Sequence, residues 1–338
     1  MLHEAMLYTR GKDDRVDCFL CSHRCRIADQ RYGICGVRRN QGGTLYTYAY
    51  GEAVAANVDP VEKKPLYHFL PGTNTFSIAA FGCNFRCDFC QNWRISQVTK
   101  EKGNEIPGYL LSPEEIVEDA RKLECRSISY TYTEPTIFFE YAFDTARIAR
   151  DSGLYNIFVS NGYMTPEAFS TIHPHLDACN VDLKSFRDEF YRKTCRARLQ
   201  PVLDTIKLLG ESDVWTEITT LIIPGANDSR EELTDIASFI AQTDPSIPWH
   251  ISRFFPAYKS TATGPTPIEK MLEAYEIGKR QGLHFIYTGN VPGESMDINC
   301  PNCRITVLKR GPGAETVARN LQNGRCANCG REIQGVFF

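Results

Sequence analysis

The stretch TFSIAAFGCNFRCDFCQNW, residues 75–93, joins a mostly apolar run to a loop that carries three cysteines. The run is short and rich in β-branched and aromatic residues, which predicts a buried strand. Cys83, Cys87 and Cys90 then follow with the spacing C-x3-C-x2-C. A metal or cluster with four corners would lack one protein ligand on this loop, so the fourth ligand must come from elsewhere.

The length and composition of the chain indicate one large α/β domain with small appendages. It has 338 residues, of which 42% are hydrophobic and 23% are charged, and a formal net charge of −3. This charge balance provides no general attraction to nucleic acid or to an anionic membrane. Its first ten residues include acidic and polar groups, and no apolar run reaches membrane-spanning length. We therefore expect a cytoplasmic protein.

Cysteine use points to metals rather than to disulfides. Eleven of the fourteen cysteines fall into three groups with short spacings. In a secreted chain such groups could form disulfides, but in an intracellular protein they more often bind metals or iron–sulfur clusters. A reducing, anaerobic setting follows as a hypothesis.

The middle of the chain alternates strand-like and helix-like segments. Three helix starts are marked by Ser112-Pro113 with Glu115, by Thr165-Pro166, and by Ser229 with Glu232, the first and third as capping boxes. Repeated βα units imply a parallel sheet, and no G-x-G-x-x-G follows the first strand. We predict an α/β fold, a partial (β/α)6 TIM-like barrel, with its chemistry at the carboxyl ends of the strands. The candidate strands begin at Thr75, Ser127, Asn156, Ala178, Trp215, Trp249 and His284.

The cysteine groups divide the chain into three segments. We predict a four-cysteine segment at residues 1–66, a barrel core at residues 67–290 and a zinc-ribbon-like segment at residues 291–338. The two outer segments have little apolar periodicity, so that metal crosslinks are a plausible substitute for a large core.

The three-cysteine loop suits an iron–sulfur cluster with an open corner. Thiolates select soft metals and clusters, and a cubane has four irons, so three cysteines leave one iron for a substrate or cofactor. A zinc site with a remote fourth ligand is the alternative. The spacing after the first barrel strand resembles the radical S-adenosylmethionine (SAM) superfamily. That resemblance implies a [4Fe-4S] cluster on Cys83, Cys87 and Cys90, with SAM on the fourth iron, and cleavage of SAM to a 5′-deoxyadenosyl radical that abstracts hydrogen.

The same resemblance implies further site residues on the cysteine loop and after the second predicted strand. Phe89 matches an aromatic that shields the cluster. In YTYTEP, residues 130–135, Glu134 matches a glycine-rich turn that holds the amino group of SAM, but Tyr132 and Thr133 replace the glycines. Glu134 could instead be a simple turn residue.

Later strands supply the remaining matches. Ser160 and Asn161 end the third strand as in activating enzymes of glycyl radical proteins, although Val159 replaces the usual cation-binding aspartate. The resemblance carries over Asp182, Lys184 and His250 as SAM-binding candidates. The alternatives are a structural ion pair for the first two and an ordinary core histidine for the third.

The outer cysteine groups predict metal sites. Two C-x2-C pairs near the C-terminus have the arrangement of a closed tetrahedral zinc site, with rubredoxin-like iron as the alternative. The N-terminal group predicts structural zinc or an auxiliary iron–sulfur cluster that relays electrons, and His23 could replace one ligand. The first group consists of Cys300, Cys303, Cys326 and Cys329, and the second of Cys18, Cys21, Cys25 and Cys35. We interpret Cys125, Cys179 and Cys195 as buried or free thiols.

Taken end to end, the chain resembles the radical SAM enzymes of the AmmeMemoRadiSam system, which are related to pyruvate formate-lyase activating enzyme. The resemblance implies Memo-type and AMMECR-type partners and a flavodoxin-like or ferredoxin-like electron donor. The first hypothesis is hydrogen abstraction from a glycine of a protein substrate. The second aims the same radical at a small molecule or another protein residue. A zinc and iron–sulfur scaffold for nucleic acid is the third, and the acidic charge balance counts against it.

Overall fold

The strands of the computed structural model, which describes residues 2–97, 108–291, 296–311 and 316–337, form one large sheet and several small ones. The first ten strands are β1 His3–Glu4, β2 Tyr8–Arg10, β3 Val16–Cys18, β4 Arg26–Ile27, β5 Arg38–Gln41, β6 Thr44–Thr47, β7 Glu52–Ala53, β8 Ala55–Pro60, β9 Asn74–Ala79 and β10 Tyr109–Leu110. The others are β11 Ser127–Tyr130, β12 Tyr155–Ser160, β13 Ala178–Asp182, β14 Trp215–Ile222, β15 Trp249–Arg253, β16 Ile286–Gly289, β17 Ile298–Asn299, β18 Thr306–Arg310, β19 Thr316–Ala318, β20 Leu321–Gln322 and β21 Arg325–Cys326.

Helices of the described chain connect the strands of the large sheet. The α-helices are α1 Trp93–Ser96, α2 Pro113–Lys122, α3 Phe139–Asp151, α4 Pro166–Ile172, α5 Asp188–Phe190, α6 Gln200–Gly210, α7 Arg230–Thr243 and α8 Ile268–Arg280. Short 3-10 helices cover Val61–Lys63, Pro135–Phe138 and His173–His175, and a π-helical turn covers Tyr191–Cys195. Among these helices none combines the length and apolar character needed to cross a bilayer.

The central sheet has eight strands in the order β8-β9-β11-β12-β13-β14-β15-β16. From β9 onward all neighbours are parallel, and each crossover contains a helix. Six such βα units in succession confirm the predicted α/β fold and its partial barrel. The sheet is open, with β8 and β16 as its edges. All seven predicted strands occur, since their apolar residues are buried between the barrel interior and the helices.

β8 is an edge strand that the sequence prediction omitted. It runs antiparallel to β9, with Ala55 opposite Ala79 and Pro60 opposite Asn74. Its sequence, AANVDP, is polar and ends in proline, and half of it is exposed. A strand at a sheet edge tolerates such residues because one side of it lacks a pairing partner.

The predicted helix starts are confirmed, with one correction. Ser112 and Glu115 form a reciprocal capping box, and the Thr165 side chain caps α4. The Ser229 hydroxyl caps α7, but the predicted return bond from Glu232 is wrong. The Glu232 carboxylate is buried and instead accepts hydrogen bonds from residues 185–187, the loop that follows β13. Tertiary hydrogen bonds therefore engage the Glu232 side chain, which the local sequence pattern assigned to the helix cap.

The C-terminal segment is fixed to the barrel through a buried arginine. Arg310 is 7% exposed, pairs with Glu62 at 3.3 Å, and donates to the carbonyls of Tyr67 and Met296. Its guanidinium also lies 4.7 Å from the centre of the Tyr67 ring. These contacts hold β17–β19 against the chain that precedes β9.

A buried carboxylate organises the opposite end of the barrel from the cysteine loop. Glu217, near the start of β14, accepts hydrogen bonds from the Tyr67 and His68 backbone amides, Trp215 Nε1 and His250 Nε2. Burial by itself would raise the pKa of Glu217, but the bonds from its neighbours, His250 first, lower it. The ion thus remains charged in the core because each of its lone pairs is used.

We predict that His68 makes the fold sensitive to acid. Its ring is buried between the Tyr287 hydroxyl and the Gln334 carbonyl, and burial lowers the pKa of His68 to about 4. Below pH 6.5 the unfolded chain therefore binds a proton that the folded chain does not, so stability falls as pH drops toward 4, by up to about 3 kcal/mol. Denaturant unfolding of wild type and His68→Gln from pH 7.5 to 4.5 measures this, and parallel pH profiles would contradict it.

Candidate functional site

The three-cysteine loop follows β9 at the carboxyl edge of the sheet. Gly82 opens it with a φ of +90°. A Cβ placed on this glycine would lie 2.6 Å from Val37 Cγ1 and 3.2 Å from the Cys35 carbonyl oxygen. Only glycine fits this conformation and this close approach, so the loop is pressed against the N-terminal segment.

The loop lines a cleft of about 230 Å³ at the same edge of the sheet. Residues from the loop and from the ends of five later strands, β11 to β15, form its walls. Among the predicted site residues, the cleft brings together Cys83, Cys87, Cys90, Phe89, Asn161, Asp182 and Lys184. They gather because each of them follows or ends a parallel strand, and the carboxyl ends of parallel strands share one edge.

The cysteine sulfurs are held by specific contacts. Cys83 Sγ accepts hydrogen bonds from the Phe85 amide at 3.3 Å and from Asn161 Nδ2 at 3.5 Å, and Cys90 Sγ lies 3.2 Å from Ser96 Oγ. Burial raises the pKa of Cys90, and contact with the Cys195 thiol together with burial raises the pKa of Cys87 well above its usual value. A bound metal centre would therefore have to displace thiol protons on binding.

An ion pair forms the wall opposite the loop. Asp182 ends β13, and its carboxylate accepts a bond from Lys184 Nζ at 2.7 Å. Lys184 is buried, which disfavours its charge, but the Asp182 carboxylate raises the pKa of this lysine. The Tyr191 hydroxyl accepts from the Lys184 amide at 3.0 Å, and Glu232 braces the next three residues. The lysine is thus a preorganised cation at the cleft.

The turn after β11 keeps a glycine-like conformation without glycine. Tyr132 has a φ of +62°, in the left-handed region. Its hydroxyl bonds to Asp59, the Lys64 ammonium lies 4.6 Å from its ring centre, and Asn92 Nδ2 donates to its carbonyl at 2.8 Å. The Thr133 hydroxyl donates to the Ala80 carbonyl at 2.7 Å. The phenol contacts offset the backbone strain, so this turn holds a left-handed residue without glycine.

Glu134 and Ser160 lie behind the cleft wall. Glu134 is fully buried, and its carboxylate accepts bonds from the Thr136 amide and hydroxyl, Ser160 Oγ at 2.9 Å and the Asn161 amide at 2.7 Å. Burial raises the pKa of Glu134. In this structure the carboxylate orients the backbone of Asn161, whose side chain then reaches Cys83.

His250 is not brought to the cleft. It lies near the start of β15, where its Nε2 is 2.6 Å from Glu217, and its ring packs on Tyr67 and Tyr287. Two residues later in the same strand, Ser252 lines the cleft. This geometry is that of the core-histidine alternative.

Several residues in or beside the cleft were not predicted from the sequence. Asn84 Oδ1 accepts from Asn161 at 3.2 Å, and Asn92 and Ser96 contact the Tyr132 turn and Cys90. Thr219 and Ser252 line the far wall. Asn84 lies between two of the cysteines and Asn92 follows the last of them, which is a weak signal, whereas nothing in the sequence distinguishes Ser96, Thr219 and Ser252 from ordinary helix and strand residues.

The residues present fit an iron–sulfur cluster with an open iron. Three cysteines line the cleft, and the described lining residues include no fourth one. Cys195 is fully buried behind Cys87. Three thiolates suit iron of a cluster, and the remaining polar groups, Asp182, Lys184 and Asn161, suit a charged ligand beside it.

The C-terminal cysteines form a closed quartet. Their four sulfurs all lie within 4.8 Å of one another, with Cys300 to Cys329 and Cys303 to Cys326 both at 3.6 Å. A tetrahedral ion with metal–sulfur bonds of about 2.3 Å would hold sulfurs about 3.8 Å apart. Hydrogen bonding, first from Asn328, lowers the pKa of Cys303 to about 6, which favours the thiolate. The quartet is therefore shaped for a single ion.

The N-terminal cysteines line a second, smaller cavity. It lies between the N-terminal strands and the Pro135–Phe138 turn, and Ile137 from that turn borders it. The cysteines that line it are Cys18, Cys21, Cys25 and Cys35. Cys125 and Cys179 are buried in the core away from these groups.

Comparison with known proteins agrees with this site. Residues 77–240 match the sequence model of the Radical SAM superfamily. An uncharacterized Methanocaldococcus jannaschii protein, MJ0808, is 42% identical over 99% of this chain and 100% of its own length. This chain belongs to the radical SAM superfamily. Its three cysteines lie on the loop after the first parallel strand of the central sheet.

The radical SAM chain is also related to activating enzymes. Pyruvate formate-lyase-activating enzyme of Clostridium pasteurianum is 22% identical over 47% of this chain and 66% of its own length. A radical SAM methyltransferase from Sphaerobacter thermophilus superposes with a TM-score of 0.51, at 17% identity, over 65% of this chain and 67% of its own. This last likeness concerns the fold.

We predict that the left-handed backbone conformation at residue 132 lowers stability for any residue other than glycine. Tyr132→Ala and Tyr132→Gly lose the same phenol contacts, but only alanine keeps the left-handed strain, so the glycine variant should be the more stable of the two by about 1 kcal/mol. Urea unfolding of the pair measures the difference. An alanine variant as stable as the glycine variant would show that the turn changes conformation once the phenol is removed.

Proposed function

We propose that this protein binds a [4Fe-4S] cluster through Cys83, Cys87 and Cys90 and SAM at the fourth iron. The observation that supports this most directly is the gathering of three thiols and a charged pair in one cleft of a radical SAM fold. When bound, the cluster would supply one electron to SAM, which yields methionine and a 5′-deoxyadenosyl radical for hydrogen abstraction.

The chain's own residues would position SAM. Its amino acid part carries one positive and one negative group, and Lys184 and Asp182 present the opposite charges side by side at the cleft. Asn161 is oriented by Glu134 toward Cys83 and would fix the geometry at that corner. We assign Glu134 and Ser160 as positioning residues, because their side chains bond to each other behind the cleft wall. His250, which bonds to Glu217, has no role in this proposal.

Apolar side chains would keep the reaction dry. Phe89 is 5% exposed and packs 6.0 Å from the Phe190 ring, between Cys87 and Cys90 in sequence. Exclusion of water around a cluster affects its potential and protects a reactive radical. The protein's part in the reaction is thus position, charge and exclusion of solvent.

For the substrate, we propose a glycine of a protein partner. The relatedness to pyruvate formate-lyase-activating enzyme supports this class of target. The sequence resemblance to enzymes of the AmmeMemoRadiSam system supports Memo-type and AMMECR-type proteins as partners and a flavodoxin-like or ferredoxin-like donor in the cytoplasm. The same radical acting on a small molecule or another protein residue is the second reading of that system.

Replacement of one cluster cysteine should abolish SAM cleavage. Reconstituted wild type with a strong reductant is expected to form 5′-deoxyadenosine, and Cys87→Ala should lower this to background because the cluster loses a ligand. Chromatography of the nucleoside products measures it. Cys125→Ala, a buried cysteine outside the cleft, is the matched control and should retain full activity. Cleavage by Cys87→Ala at the wild-type rate would refute the proposal.

The glycine target has its own readout. Active protein mixed anaerobically with candidate partners should generate a glycyl radical that electron paramagnetic resonance (EPR) detects. Deoxyadenosine formation without such a signal for every partner would favour the second reading.

We propose zinc in the C-terminal quartet. One zinc per chain is expected in purified protein, and Cys303→Ser should lose it without loss of iron from the central cleft. The replacement should also lower thermal stability, since a structural ion crosslinks a segment with a small core. Metal analysis of both proteins tests this, and iron in the quartet would assign it as rubredoxin-like instead.

A further inference from the structure

The four N-terminal cysteines face one apolar void. Besides the sulfurs, its walls are mostly the aliphatic side chains of Leu20, Ile27, Ile34 and Ile137, and His23 and Arg38 also line it. All four cysteines are free thiols, and two of them, Cys18 and Cys35, are buried. Aliphatic side chains could fill the same space, so packing alone does not explain why four thiols surround one void. The arrangement therefore indicates a thiophilic cofactor.

The sulfur spacing differs between the two outer quartets. Among the described residues, only the C-terminal quartet has its candidate ligand atoms all within 4.8 Å of one another. A single tetrahedral ion requires sulfurs about 3.8 Å apart. A cubane binds each thiolate to a different iron, so its ligands stand farther apart. The wider N-terminal quartet around a shared void therefore favours a cluster over one ion.

A buried cation lies against this quartet. Arg38 is 1% exposed, and its Nη1 donates to Cys18 Sγ at 3.5 Å and to the Met6 carbonyl at 2.9 Å. Its Nη2 pairs with the buried Glu140. A hydrogen bond from a guanidinium to a ligand sulfur offsets the negative charge of a thiolate-bound cluster and raises its potential.

The segment that carries the N-terminal quartet is in direct contact with the central cysteine loop. His23, between Cys21 and Cys25 in sequence, has its Nε2 2.9 Å from the carbonyl oxygen of Asn84, the residue after Cys83. On the other side, the Cys35 carbonyl closes over Gly82. Ligand loops of the two sites are thus in direct contact, which is the arrangement that electron transfer between them needs.

We propose that Cys18, Cys21, Cys25 and Cys35 bind a second [4Fe-4S] cluster, through which electrons reach the cluster at the cleft. The binding site stands by itself, whereas the relay rests on the proposed function. An external flavin or iron–sulfur protein gives one electron to the outer cluster, which then passes that electron inward and returns to its oxidised state. No bond forms or breaks in the transfer.

The binding site is tested in protein that lacks the central cluster. C83A/C87A/C90A, reconstituted anaerobically, should hold about four iron and four sulfide per chain and give a reduced-cluster EPR signal, against about eight of each in wild type. Adding C21A/C25A should remove both iron and signal. Zinc instead of iron in the triple variant, or neither, overturns the proposal, and this result does not depend on SAM cleavage.

Single variants cover the case in which the triple variant fails to fold. Cys25→Ala should lose half of the wild-type iron while SAM still perturbs the EPR signal of the remaining cluster. Cys125→Ala is the matched control and should keep all the iron. Full iron retention in Cys25→Ala would overturn the proposal.

The relay is tested by the rate at which the central cluster is reduced. His23→Phe keeps a ring against Tyr163, whose centre lies 4.9 Å from that of His23, but removes the contact with Asn84. With reduced flavodoxin or ferredoxin as donor, freeze-quench EPR should show reduction at least tenfold slower in Cys25→Ala and slower in His23→Phe. Dithionite, which is small enough to enter the cleft, should reduce all three proteins at similar rates. Unchanged rates with the protein donor refute the relay.

Discussion

The close approach of Gly82 to the N-terminal segment is the contact on which the site depends. A loop of three cysteines is too short to hold its own conformation, and it packs here between the Cys35 carbonyl, the end of β12 and the π-helical turn after α5. The amides of Arg86 and Asp88 donate to carbonyls of that turn. The sulfurs are therefore positioned by segments distant in sequence.

Three buried glutamates each join separate segments of the barrel through hydrogen bonds to their carboxylates. Glu134 holds the Asn161 backbone, Glu232 holds the loop after Lys184, and Glu217 joins β14 and β15 to the chain that precedes β9. A buried carboxylate is costly unless its lone pairs are satisfied; Glu134 and Glu217 each accept four hydrogen bonds, and Glu232 accepts three. Because they bridge separate strands, they fix the cleft residues relative to one another.

The outer segments differ in how they join the barrel. The C-terminal segment meets it through Arg310 and Tyr67, at the end away from the cleft. The N-terminal segment meets the cleft loop itself through His23, and Cys21 pairs with Met164 close to Asn161. A metal in the C-terminal segment would therefore affect the stability of the fold. A cofactor in the N-terminal segment would lie beside the cleft and could take part in the reaction.

The sequence by itself determined the α/β class, the seven parallel strands and the grouping of the cysteines. These follow from local rules: alternation of strand and helix patterns, proline and serine at helix starts, and thiol spacing. It also predicted the side chains at strand ends, such as Asp182, since parallel strands share an edge.

Only the tertiary structure decided the rest, because it depends on contacts between residues far apart in the chain. It turned Glu232 away from its cap toward the loop after β13, gave Tyr132 a left-handed backbone by bonding its hydroxyl to Asp59, and placed His250 on Glu217 rather than at the cleft. The spacing of residues in the sequence does not predict which buried polar groups will form hydrogen bonds with each other. Those hydrogen bonds determine how the side chains inside the barrel are arranged.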